Sequence, residues 1–75
     1  MMKPETPKNQ RIQRRVFSLM RRLNLTRYEL AEIMAISPAT LRSRLRGEST
    51  FSQTELAAFA EYADTKPEWF HAVSS

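Results

Sequence analysis

Between Thr26 and Gly47 the chain reads TRYELAEIMAISPATLRSRLRG, and its start and stop signals define two short helices joined by a tight turn. Thr26 can accept from the third amide of a helix while Glu29 reaches back to the amide of Thr26, a capping box that starts a helix at about Arg27. Leu30, Ala31, Ile33 and Met34 then fall at helical spacing, so one face is apolar and has to lie against something. A second start follows at once: Ser37 suits an N-cap, and Pro38 suits the first helical position, where a missing N–H costs nothing. Gly47 suits the left-handed residue that closes such a helix. Leu41 and Leu45, four apart, give it a narrow buried edge, and Ala39, Arg42, Ser43 and Arg46 face elsewhere. A thin apolar edge opposite a cationic face is what a helix needs in order to lie in a nucleic-acid groove.

The rest of the chain supplies what those two helices can pack against. From about Asn9 to Leu23, the residues Ile12, Val16, Leu19, Met20 and Leu23 form a core-facing stripe, with Phe17 at its margin, placed either to close the core, the preferred reading, or to mark an exposed contact. Arg11, Arg14, Arg15, Arg21 and Arg22 spread around the same helix, too widely for all to serve one surface. Residues 1–8, MMKPETPK, have two prolines and no periodicity, and are expected to form a mobile arm ahead of a domain spanning 9–75. Ser52 and Glu55 make a second capping box before Leu56, Phe59, Ala60 and Ala63, with Phe51 placed to staple onto Leu56. Thr65 and Glu68 are read as a third capping box with Pro67 inside the first turn, starting a short last helix expected to run to about Val73. The sum is an all-α domain of five helices, with Leu30, Ile36, Leu41, Leu45 and Leu56 buried.

The Thr26–Gly47 stretch resembles the helix-turn-helix of the phage repressor and Cro family, the lambda-repressor-like DNA-binding domains. The matching features are the small Ala31 where the helices cross, Ile36 at the turn, Leu41 in the second helix, and Arg46-Gly47 at its close. The family's turn usually carries Gly where this chain has Ala35, and Arg44 stands where the best-known members place an apolar residue. The resemblance implies a five-helix fold with the helix-turn-helix in helices 2 and 3. It also implies binding of double-stranded operator DNA through a major-groove recognition helix, as a transcriptional regulator. Carried over position by position, the base-facing residues are Ser37, Pro38, Ala39, Arg42 and Ser43. Arg42 can pair with both O6 and N7 of guanine, whereas Pro38 and Ala39 can offer only apolar contact to thymine methyls.

Phosphate contacts are expected from Thr26 and Arg27, where free amides and the helix dipole favour an anion, and from Arg46 and Ser49 beside the end of the recognition helix. Arg44 could join them or remain solvated. In the family the C-terminal region often supplies a dimer contact, so Trp69 and Phe70 are candidates for a weak homodimer, with ordinary core closure as the alternative. Monomer and dimer both stay open, as do repressor, Cro-like antagonist and activator. A different class of reading also stands, in which the fold is an antitoxin-like or adaptor module that binds a protein through its aromatic C-terminal face.

Charge favours the DNA reading. Residues 1–47 hold eleven Lys/Arg against three acids, a net of +8, whereas residues 48–75 hold one Lys against five acids, a net of −4. Such polarity suits a domain that lays one surface on a polyanion. Cysteine is absent and there is a single histidine, so neither a disulfide framework nor a zinc site is expected, and no cofactor is needed. No nucleophile is paired with a base, so catalysis is not expected. His71 has no visible partner and is read as a surface residue. Without a membrane-length apolar run or signal-peptide core, the expected setting is a bacterial cytoplasm, or that of a phage-infected host.

Overall fold

The structure, a computed structural model, describes residues 7–71. Five helices follow in order: α1 (Pro7–Arg22), α2 (Arg27–Met34), α3 (Pro38–Leu45), α4 (Gln53–Tyr62) and α5 (Glu68–His71). Three of the four start signals act as the sequence implies; at the fourth, no Thr65–Glu68 box forms among the described residues, because α5 begins at Glu68 itself and the amides of Trp69 and Phe70 close tightly on the carbonyls of Lys66 and Pro67. Thr26 and Ser52 each complete a capping box, and the Ser37 hydroxyl accepts from the amide of Thr40 at the head of α3. α1 begins at Pro7, two residues earlier than its apolar stripe suggested. Proline fits the first helical turn, where no N–H is required, so the stripe understated the helix. Residues 1–6 of the expected arm and residues 72–75, including Val73, lie outside the described residues.

The four longer helices end alike. Each closes on a residue with a left-handed backbone: Asn24 (φ 59°), Ala35 (φ 61°), Gly47 (φ 85°) and Asp64 (φ 61°). After each, the next amide reaches five residues back, as in Leu25 N–H to Met20 at 3.0 Å and Ile36 N–H to Ala31 at 2.9 Å. This pairing satisfies carbonyls that a helix end leaves bare. The α1–α2 and α2–α3 connections are thus the same three-residue turn: a left-handed residue, an aliphatic residue packed on the core (Leu25, Ile36), and a hydroxyl N-cap (Thr26, Ser37).

Those turns fold α2 onto α3 and α4, and α1 onto α3 and α5. At the centre lie Val16, Leu30, Leu41, Leu56, Phe59 and Phe70, all fully buried. Phe70 stacks on Phe59 with ring centroids 5.8 Å apart and meets Trp69 edge-on at 5.3 Å. Phe70 therefore closes the core. With no exposed surface, its ring has nothing to give to a second copy, and the dimer candidacy falls to Trp69 alone. Trp69 is half-buried, with the Arg15 guanidinium 4.9 Å from its ring centre and Arg15 Nη1 donating to its carbonyl at 3.1 Å.

Five further residues depart from expectation. Phe17 is 46 % exposed and Leu23, just past the end of α1, is 38 % exposed, since a marginal place on the stripe leaves part of a side chain facing solvent. Ile36 and Leu45 are half-buried against the core rather than enclosed by it. His71 is also half-buried, and its Nε2 is enclosed with no hydrogen-bond partner among the described residues.

Candidate nucleic-acid interface

α3 presents two unlike edges. Its outer edge carries Ser37, Pro38, Ala39 and Arg42, all exposed. Arg42 makes no hydrogen bond or ion pair among the described residues. The guanidinium is therefore free to meet an external acceptor. Arg27, at the first turn of α2, is likewise exposed and unpaired among the described residues. Arg46 is exposed and makes only a loose pair with Glu48, Nε to Oε2 at 3.5 Å, which solvent screens. Arg27, Arg42 and Arg46 rim one groove, and its floor is Phe17, Met20 and Leu45.

The inner edge is tied into the protein. Arg44 Nε and Nη2 donate to the two carboxylate oxygens of Glu55, each at 2.8 Å, and Nη1 donates to Ser49 Oγ at 2.8 Å. The two side chains are 20 % and 8 % exposed. The Arg44 hydrogen bonds hold the Glu55 carboxyl below its ordinary range, against a partial upward push from burial, and the Ser52 amide adds to the lowering. Glu55 answers by raising Arg44 further. Arg44 thus neither stays solvated nor stands ready for a phosphate.

Two other expected contacts share this internal chain. Ser49 Oγ, besides accepting from Arg44, lies 3.2 Å from Ser43 Oγ, and Ser43 Oγ reaches Glu48 Oε1 at 3.4 Å. Both serines are half-buried. Thr26, by contrast, is exposed, its hydroxyl accepting from the Glu29 amide at 3.1 Å. The structure therefore brings Ser37, Pro38, Ala39 and Arg42 together with Arg27 and Arg46, and draws Ser43 and Ser49 inward.

Two exposed aromatic residues lie on this surface, of which sequence reasoning missed Tyr28 and preferred a core place for Phe17. Tyr28, 74 % exposed, lines a small cleft with Arg27, Pro38 and Arg42. Phe17 sits in the arginine-rimmed groove with the Arg21 guanidinium 5.8 Å from its ring centre. Tyr28 had a readable signal, since it falls off the Leu30–Ala31–Met34 stripe one position after the first helical residue. Phe17 had only its marginal place on α1.

α3 is also held from behind. Gln13 Nε2, from α1, donates to the carbonyls of Leu45 at 3.1 Å and Arg44 at 3.4 Å. It lies where a Cβ on Gly47 would approach to 2.8 Å. Glycine suits that position through its positive φ, and a Cβ there would also push the Gln13 amide off the two carbonyls. Among the described residues no group of His, Cys, Asp or Glu could hold a metal ion, and no helix is long and apolar enough to cross a membrane.

A search of curated proteins and one of solved structures returned no significant match. A family model described as helix-turn-helix matches residues 18–70, from the second half of α1 through Phe70. That span includes the whole of α2, α3 and α4, the last turn of α1 and most of the core, though Ile12 and Val16 of α1 lie ahead of it. The capped turns of α2, α3 and α4 and the outward arginines of α3 all fall inside it, and the chain belongs to the helix-turn-helix family of the phage repressor and Cro type, a family of DNA-binding domains.

Proposed function

We propose that this protein is a sequence-specific regulator that lays α3 in the major groove of double-stranded operator DNA and controls transcription by occupying that site. Residues 9–75 act as the DNA-binding unit. The observation that carries the reading is Arg42: exposed, uncommitted among the described residues, and flanked by Arg27 and Arg46 on one rim. In such an arrangement the outer cations hold phosphates and fix register, while the central one reads a base edge. Pro38 and Ala39 add a small apolar surface suited to thymine methyls.

The test is selection of bound duplexes from random DNA, with the wild type and with Arg42→Ala, read at two salt concentrations. Arg42→Ala should erase preference at one base pair, a loss of about 1–3 kcal/mol on the selected site and less on random DNA. Arg27→Ala and Arg46→Ala should weaken both kinds of DNA alike, each lowering the salt slope by about one. A selected motif that survives Arg42→Ala at every position would remove Arg42 as a base reader.

A further inference from the structure

We infer that Glu55, set behind the recognition helix, is a positioning residue for DNA selectivity: it holds Arg44 off the phosphates and so limits the non-sequence-specific charge that α3 presents. The inference rests on the DNA-binding reading above. Glu55 is the one buried charged residue among those described. Its carboxylate is fixed before Arg44 arrives, because it completes the α4 capping box and accepts from the Ser52 amide at 3.0 Å. Arg44 then spends all three guanidinium nitrogens inside the protein, two on Glu55 and one on Ser49.

The placement gives this pairing a consequence for binding. Arg44 lies on the inner edge of α3, about 200° around the axis from the exposed Arg42, but its long side chain keeps 20 % exposure and runs beside the loop that follows the helix. Its Nη1 ends on Ser49, in the loop that follows α3. Without Glu55 the guanidinium can swing outward past that loop to the nearest phosphate. It would then add one cation contact, available on any sequence. The ordered Arg44–Ser49–Ser43 chain, which shapes the loop beside a matched site, would be lost at the same time. Random DNA gains a contact while the matched site loses its fitted edge, so selectivity falls.

The experiment titrates the full chain against a random-sequence duplex and against its own selected duplex, over roughly 50–200 mM salt. Circular dichroism confirms that each variant is folded. Glu55→Gln should steepen the salt slope on random DNA by about one and tighten that binding roughly threefold to tenfold near 0.1 M salt. Its ratio of selected to random affinity should fall. The double variant Arg44→Leu/Glu55→Leu, which replaces the pair by apolar groups that commonly preserve stability, should keep the wild-type slope. A folded Glu55→Gln with an unchanged slope overturns the inference. Should Glu55→Gln fail to fold, the double variant decides: a slope shallower than wild type by about one would mean that Arg44 already sits on a phosphate, and the inference is wrong. Salt-independent binding by the wild type would overturn the DNA-binding reading itself. An unchanged Glu55→Gln slope against a salt-dependent wild type sinks this inference alone.

Discussion

The two edges of α3 use the same residue type in opposite ways. Arg42 and Arg44 are two positions apart, about 200° around the helix axis, and only that rotation separates their fates. Arg44 turns toward α4 and meets a carboxylate already fixed by its own capping box. Arg42 turns toward solvent and meets nothing among the described residues. A count of cations on a helix therefore overstates what the helix can offer a polyanion. What matters is which cations have an internal acid within reach, and here α4 supplies one to the inner edge alone.

The largest expected effect separates the edges by stability. Leu41 is fully buried on the inner edge, among Leu30, Leu56 and Phe59 in one core cluster. Leu41→Ala should cost about 2–5 kcal/mol, a large part of the ~5–15 kcal/mol total of a typical domain. Arg42→Ala, one residue on but exposed, should stay within about 0.5 kcal/mol. Thermal unfolding of both variants checks the contrast. Equal melting temperatures would mean that α3 sits in another rotation about its axis.

Next in size is the pair that anchors the inner edge. Glu55→Gln should cost about 1.5–3 kcal/mol at neutral pH, the range for a hydrogen bond to a charged group. The pH dependence follows from the lowered carboxyl. A group that holds its proton less tightly when folded adds stability that is complete above the ordinary carboxylate range and disappears as the pH drops through the depressed folded value. The wild type should therefore lose its advantage over Glu55→Gln between about pH 5 and pH 2. Arg44, pushed upward, adds nothing to that acid window. A constant gap between the two melting curves from pH 7 to pH 2 would show that the ion pair contributes no stability.

The sequence made most of α3 legible and hid the part that distinguishes its edges. Caps are local chemistry, so Thr26, Ser37 and Ser52 with Glu29 and Glu55 placed three helix starts correctly from spacings of three residues. Leu30, Leu41 and Leu56 followed from periodicity. The Arg44–Glu55 pair spans eleven positions and two helices, and no periodicity relates residues across a turn whose geometry is unknown. Glu55 was read as a cap, which it is, but one oxygen shared with a cap can also hold a guanidinium. Ser43 and Ser49 went inward for the same reason. Phe70 was ambiguous because an aromatic near a chain end looks alike whether it fills a core or meets a partner. Only the position of α5 against α1 decided that. Phe17 erred the other way: a marginal place on a stripe says nothing about whether a neighbouring helix is long enough to cover it.

The smallest effect concerns the turn that delivers both edges. Ala35 and Gly47 close successive helices with left-handed backbones, φ 61° and 85°, yet only the second is glycine. A left-handed L-residue carries roughly 1–2 kcal/mol of strain from its Cβ. Glycine would relieve that strain but lose about 0.4–1 kcal/mol to the greater freedom of its unfolded chain. Ala35 is exposed, so its methyl fills no space that glycine would leave empty. Ala35→Gly should then raise stability by about 0.5–1 kcal/mol, a shift of a few degrees in melting temperature for a domain of this size. Because the turn keeps its shape, Arg42 and Arg44 keep their separate directions, and the salt slope on random DNA should not change. A lower melting temperature would mean that the Ala35 methyl does packing work that its exposure denies. An unchanged melting temperature with a steeper salt slope would mean that the stiffness of alanine at this turn, and not Glu55 alone, keeps Arg44 on the inner edge.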